Sequence, residues 1–395
     1  MRPALLALAL ALSAGAAGAE EAPLVACGGS FADFKTRIAD HAIGMGHDPA
    51  EVRAFLSGVR QDQRTLDADR RQGIFTTPFT EFARRLISEN RLVAGRRNAR
   101  EWDAIFDRVE AEFGVDRTVL LAFWAFETDY GAIQGDSNTV NALATLAHDC
   151  RRPELFQPQL LAALDLYRLG DLDPATTTGA WAGEIGMVQM LPEDILLNGV
   201  DGDGDGHVRL KTSVPDALMS GGKMLNDLGW RPNEPWIEEV ALPADFPWGE
   251  AALEVTRPAA EWQAMGVRPR DGTLDRPDLA ASIVLPQGKD GPAFLAYPNF
   301  NVFFEWNQSF TYVLTAAYFA TRLGGAEVFD AGNPAPGLSD AEMKDLQSRL
   351  AARGHDVGKI DGILGAGTRA AVRAEQARLG LPADAWPTRQ LLNAL

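Results

Sequence analysis

The residue in this sequence best placed to move a proton is Glu127. Leu120, Phe123, Trp124 and Glu127 stand at i, i+3, i+4 and i+7, so they share one face of a helix. That face is apolar except for the carboxyl. A carboxyl among aromatic and aliphatic side chains loses hydration, which raises its pKa. Still protonated near neutral pH, it can give its proton to a glycosidic oxygen. The spacing alone also fits a solvated glutamate in a last helical turn. Asp129 stands two residues on and points to another face, so it is a poor second carboxylate. A second constellation is Asp201, Asp203 and Asp205, followed by Gly206. These occupy positions 1, 3, 5 and 6 of an EF-hand-like loop, with the His207 carbonyl at position 7. Oxygen ligands so spaced suit calcium. Position 12 is Thr212 rather than a bidentate Glu, which predicts weak binding, or sodium, in a structural role. An Asp-Gly turn holding no ion is the other reading. The chain has five His residues, and none forms a metal-binding or triad motif, so a metalloprotease or serine hydrolase finds no support.

The elements that must position these groups read mainly as helices. Asp116 is an N-cap for a helix over 117–128, and Gly131 marks its end. Apolar residues at three- and four-residue steps predict helices over 31–43 and 49–59, and another is expected over 153–170. Arg91, Arg96, Arg97 and Arg100 form a basic patch, read as a solvated helix face or as a surface for an anionic glycan. Residues 180–215 are rich in Gly, Asp and Pro and read as loops; 236–290 read as irregular with a few short strands, such as 236–242. Helix returns over 309–323. Residues 331–337 have the composition of a linker. Beyond it, Ser339 and Glu342 form a capping box, Leu346 and Leu350 a helical stripe, and Asp361-Gly362 a turn; further helices are expected over 368–379 and 387–395.

The chain has 395 residues, 46% of them hydrophobic, enough for one large domain and a small one. Its formal net charge of −17 repels nucleic-acid phosphates, so no nucleic-acid partner is expected. Arg2, the apolar run 5–12 and the small residues 16–19 read as an export signal over 1–19, with the apolar run too short to span a bilayer. No other segment has the length of a membrane helix. In an oxidising exported compartment the two cysteines, Cys27 and Cys150, read first as a disulfide. Two buried thiols are an alternative. Leu24-Val25-Ala26-Cys27 also looks like a lipoprotein acylation box. Glu20, Glu21 and Pro23 interrupt the apolar run that should lead into it, and the disulfide is preferred.

The segment Glu127-Thr128-Asp129-Tyr130-Gly131 resembles the Glu-Ser/Thr-x-x-Gly signature of lytic transglycosylases with a lysozyme-like core. The wider pattern resembles the membrane-bound lytic transglycosylase B family. It includes Asn141-Ala142-Leu143-Ala144-Thr145-Leu146, Asp149-Cys150-Arg151-Arg152 and Gly179-Ala180-Trp181-Ala182-Gly183. Gly186-Met187-Val188-Gln189-Met190, Gly229-Trp230, Tyr297-Pro298-Asn299-Phe300 and Trp306-Asn307-Gln308-Ser309 follow in order. The resemblance spans roughly 27–325. It implies one catalytic carboxyl, Glu127, acting first as acid and then as base. The substrate's acetamido group stabilises the cationic carbon, and the 6-hydroxyl of N-acetylmuramic acid closes a 1,6-anhydro ring. This differs from the two-carboxylate scheme of most glycosidases. The resemblance further implies that Gln189 bonds near the carboxyl or the sugar and that Asn307 contacts the N-acetyl region. Trp306 and Tyr312 would line the cleft, Tyr297 would bind substrate, and Arg151 and Arg152 would hold substrate carboxylates, with packing or a surface ion pair as the other reading of these residues. Asp216 would close the acidic loop. The chain departs from the family at Ala180, where Ser is usual, at Met190, where Phe is common, and at Glu193, where Ser is usual.

The segment 338–395 resembles the three-helix peptidoglycan-binding domain through Leu346-Gln347, Ile360-Asp361-Gly362, Thr368-Arg369 and Gln376, although Glu375 stands where the family prefers an aromatic residue. The expected fold class is mainly α, with a lysozyme-like α+β catalytic core carrying added helices (20–330) and a small three-helix C-terminal domain. The expected function is that of a periplasmic lytic transglycosylase that requires no cofactor, with a structural calcium or sodium in the Asp201–Asp216 loop. The expected partner is the glycan strand of peptidoglycan, with other cell-wall enzymes left open and a monomer expected. A hydrolytic muramidase and a non-catalytic wall-binding scaffold are the competing readings.

Overall fold

A computed structural model of the chain describes residues 22–70, 77–270 and 272–395. The expected export segment, 1–19, lies outside the described residues. The chain divides into two compact units. One comprises the described residues up to 70 with Val93–Asp227; the other comprises 77–92 with Leu228–Leu395.

The first unit is helical, and its helices start where local chemistry predicts. The Ser30 hydroxyl caps Phe31–Gly44, and the Asp48 carboxylate caps Pro49–Ser57 with proline at the first position. Asp116 accepts the Thr118 N–H at 2.8 Å and opens the Arg117–Thr128 helix. That helix is buried from Val119 through Phe126, and Thr139–His148 is buried along its whole length. Helices apolar all round belong at the centre of a domain, and Thr139–His148 packs against Pro153–Leu169. Cys27 and Cys150 are joined by a disulfide, and Gln157 holds Val25 through both its amide groups. Two short strands, β1 (Ser137–Asn138) and β2 (Thr178–Gly179), pair antiparallel.

Region 180–215, expected as loops, contains the helix Pro192–Asn198 and the start of Val214–Asp227. The first of these is one short run opened by proline, and a sequence so rich in Gly and Asp masks it. Arg96, Arg97 and Arg100 lie exposed on the Glu89–Glu101 helix, the solvated face that their spacing suggested.

The second unit is built on an antiparallel sheet. Its strands are β3 (Ile237–Ala241), β4 (Arg257–Pro258), β5 (Arg268–Pro269), β6 (Ala280–Val284) and β7 (Phe294–Ala296), in the order β4-β6-β7-β3-β5. Trp262, Ile283, Leu295 and Phe246 form its core. Helix Pro298–Trp306 was not anticipated; Phe310–Leu323, capped by Ser309, was.

The same unit carries three further helices, Asp340–Ala352, Ala366–Arg378 and Arg389–Ala394, around Leu346, Leu350, Val372 and Leu391. The Ser339–Glu342 capping box is formed. Glu375, where an aromatic residue was expected, is buried but paired with Arg378 at 2.7 Å and His355 at 2.9 Å. Residues 331–337 have the composition of a free linker, yet they are pinned. Asn333 N–H donates to Asp290 O at 2.7 Å, and the Trp386 indole N–H to Ala335 O at 2.8 Å.

Candidate active site

Glu127 is half-buried in the last turn of the Arg117–Thr128 helix, and Leu120, Phe123 and Trp124 on its face are buried. The next residue explains the local signature. Thr128 Oγ1 donates to Met187 O at 2.6 Å and accepts the Gly131 N–H at 2.9 Å. Between them Asp129 and Tyr130 both take left-handed backbone, at φ 52° and 60°. Non-glycine residues there carry strain, which the surrounding hydrogen bonds must offset. Gly131 follows at φ 84°, and a Cβ on it would press on the Met187 side chain at 3.3 Å. Thr128 and Gly131 therefore act together, turning the chain sharply just after the carboxyl and fastening it to the 186–190 loop.

That loop is drawn tight by an Ile185–Met190 bridge. Gln189 is 9% exposed, sits at φ 53°, and donates from Nε2 to Gly186 O at 2.7 Å. A Cβ on Gly186 would stand 2.5 Å from Leu210 O, so only glycine admits the close crossing there. Met187 N–H donates to Leu210 O at 2.9 Å. Sequence reasoning missed Glu184, inside this motif, which is 2% exposed. Burial pushes its carboxyl up to about 6, against the pull of its own N–H, that of Ala182 and the Arg152 charge. Its one available signal was a charge inside a run of glycine and apolar residues. Ala180 lacks the expected hydroxyl, and its N–H donates to Glu184 O at 3.0 Å.

Arg151 and Arg152 have a partner that lies far from them in the sequence. Both were expected to hold substrate carboxylates, and both converge on Asp69, which is 1% exposed. Arg151 Nη1 reaches Asp69 Oδ2 at 2.5 Å, while Arg152 pairs with the other oxygen and lies over the Phe156 ring. A buried carboxylate needs such neutralisation, and two guanidiniums on one carboxylate leave the cluster one net positive charge, with the Arg151 side chain 45% exposed.

In the second unit Trp306, Asn307 and Tyr312 are all buried. Asn307 Oδ1 accepts the Ser309 N–H at 2.9 Å, ordering the entry to the next helix. Tyr297, expected to bind substrate, belongs to the sheet core, with its hydroxyl donating to Glu238 at 2.8 Å.

In the acidic loop, carboxylate oxygens of Asp201, Asp203 and Asp205 lie within 4.8 Å of one another. That oxygen set suits a hard cation. Of the other two expected ligands, Asp216 is engaged with backbone, while His207 was expected to offer its carbonyl and it is its ring that is engaged. Asp216 accepts backbone N–H groups of Gly202 and Arg209 at 2.9 and 2.7 Å, and the His207 ring meets Asp171 at 2.8 Å. Asp216 thus shapes the loop from beneath.

Comparison with known proteins agrees with this geometry. Residues 30–321 match the Transglycosylase SLT domain model, and 339–395 match the peptidoglycan binding domain model. The chain is 26% identical over 217 residues to the membrane-bound lytic murein transglycosylase B of Escherichia coli (strain K12). That match spans 54% of this chain and 58% of the relative, less than two thirds of its length. The crystal structure of SltB3 from Pseudomonas aeruginosa, in complex with NAG-anhNAM-pentapeptide, aligns with a TM-score of 0.86 at 37% identity. The alignment covers 93% of this chain and 99% of that one. Escherichia coli SLT35, solved in complex with calcium, aligns with a TM-score of 0.65 at 22% identity over 75% and 95% of the two chains, and shares the fold. The expected mainly helical, lysozyme-like architecture is the observed one.

Proposed function

Because the chain belongs to the transglycosylase SLT domain family, we propose that it cleaves peptidoglycan as a lytic transglycosylase with Glu127 as its acid and base. The observation that carries this is Glu127 itself, a lone carboxyl on an otherwise apolar helix face, fastened through Thr128 to the 186–190 loop. The protonated carboxyl gives its proton to the oxygen linking N-acetylmuramic acid to N-acetylglucosamine, and the bond to the anomeric carbon breaks. The acetamido oxygen stabilises that carbon. The Glu127 carboxylate then takes the proton of the muramic 6-hydroxyl, whose oxygen bonds to the anomeric carbon. No water is consumed, and one carboxyl suffices because the substrate brings the nucleophile. In the first unit, Gln189 is the proposed sugar-facing group.

The segment 20–330 is the proposed catalytic part and 338–395 the wall-binding part, which raises local substrate concentration. Export to the periplasm follows from the leader composition. No described helix is long and apolar enough to cross a membrane. Cys27 in a disulfide has no thiol to carry lipid, which supports a form without a lipid anchor there. The Asp201, Asp203 and Asp205 cluster would hold calcium or sodium in a structural role.

Mass spectrometry of products from purified peptidoglycan tests the proposal. Fragments one water lighter than hydrolytic ones, absent with Glu127→Gln, are expected. Ala180, without the hydroxyl usual at that position, favours a second reading in which water is the nucleophile. Glu127-dependent reducing ends would establish that muramidase reading instead.

A further inference from the structure

Besides Arg151 and Arg152, which pair with Asp69, a further cation is tied to the proposed catalytic helix. Lys211 follows Leu210, whose carbonyl accepts the Met187 N–H at 2.9 Å, and Met187 O in turn accepts from Thr128 at 2.6 Å. Two hydrogen bonds therefore separate the residue before Lys211 from the residue after Glu127. The Lys211 carbonyl accepts Gln134 Nε2 at 3.1 Å, and the same amide nitrogen donates to Gly131 O at 3.1 Å. Lys211 is thus built into the framework that fixes Thr128, Gly131 and Gln189.

Its ammonium group has only neutral partners. Nζ donates to Thr178 O at 2.8 Å and to the Thr178 hydroxyl, at the edge of the Gly179-Ala180-Trp181 motif. Among the described residues no carboxylate pairs with it. The side chain is half-buried, and burial holds the amine below the usual lysine range. A partly desolvated cation without a counter-ion gains most from an anion that arrives with a ligand. A second observation points the same way. Gln134, whose amide nitrogen bonds the Lys211 carbonyl, has its Oε1 buried without a hydrogen-bond partner among the described residues, an unsatisfied acceptor beside Lys211's backbone.

We propose that Lys211, with Gln134 beside it, binds a carboxylate of the substrate, making it a specificity-determining residue. This rests on the peptidoglycan reading above. Two sources share the chemistry, a stem-peptide carboxylate and the lactyl carboxylate of a peptide-free muramic acid.

The test measures binding by calorimetry, using the full chain carrying Glu127→Gln so that no ligand is consumed. The probes are a peptide-bearing disaccharide, the same compound with its carboxyls amidated, and the peptide-free disaccharide. The free-carboxylate compound should bind about tenfold more tightly than the amidated one, a charge-assisted hydrogen bond's worth. Lys211→Met should erase that preference, with thermal unfolding and far-UV circular dichroism checking that the variant is folded. Lys211→Arg should retain it, and added salt should shrink it. Loss confined to the peptide-free disaccharide would assign the lactyl source. No preference in the Lys211 protein, or a preference that survives Lys211→Met, overturns the proposal. Failure of the transglycosylase reading would be seen separately, as absent anhydro products from the unsubstituted enzyme.

Discussion

Asp69 and Glu184 are both buried carboxyls of the first unit, and they are treated differently. Asp69 is neutralised by two guanidiniums, whereas Glu184 Oε2 has no hydrogen-bond partner among the described residues. Its pKa of about 6, against an ordinary 4.5, has a definite sign for stability. Between those values the folded chain binds more protons than the unfolded one, so stability falls as pH rises. The contribution is complete below about 4.5 and lost above about 6, a difference of about 2 kcal/mol for a fully buried group. Glu184→Gln should flatten that part of the profile in thermal unfolding scans from acid to neutral pH. Parallel losses in both proteins would clear this carboxyl of the effect. At this scale the sequence exposed Glu127 but hid Glu184, because burial of a charge depends on what folds over it.

The Arg117–Thr128 helix shows how a short signature becomes geometry. Its start, face and end were legible in Asp116, the apolar spacing and Gly131. What Thr128 does was not, since its acceptor is Met187, far along the chain. Thr128→Val keeps the shape and leaves the Met187 carbonyl and the Gly131 N–H without this partner in a buried setting. A loss of about 1–3 kcal/mol is expected, with reduced turnover because the Glu127 turn loosens. Thr128→Ser should recover most of both, as read by chemical denaturation and product formation. Local signals served less well for Pro192–Asn198 and Pro298–Trp306. Both are short, both open on proline, and both owe their stability to neighbours rather than to intrinsic propensity.

For the whole molecule, long-range ties decide the outcome. Cys27 and Cys150 are separated by 123 positions, and closing so long a loop removes chain entropy from the unfolded state. The loop model gives about 5 kcal/mol as its contribution. Cys27→Ser with Cys150→Ser should lower the unfolding midpoint accordingly, and reductant should shift only the unsubstituted protein. An unchanged midpoint would mean that the unfolded state gains little from the missing link. In the second unit the three C-terminal helices are likewise no free tether. Arg369 donates to Pro286 O at 3.1 Å and lies 4.6 Å from the Phe310 ring centroid, and Lys289 N–H reaches Asp384 at 3.0 Å.

The sequence by itself determined the helix-rich class, the family signature around Glu127, the capping box at Ser339 and the clustering of Asp201, Asp203 and Asp205. Each rests on residues a few positions apart, where periodicity and capping chemistry operate. Tertiary structure alone decided that Arg151 and Arg152 serve Asp69, that Tyr297 lies in a sheet core, that Asp216 ties backbone, and that 331–337 is pinned. Those outcomes depend on partners remote in sequence, and a charge or hydroxyl acquires its role only when folding brings that partner within hydrogen-bond reach.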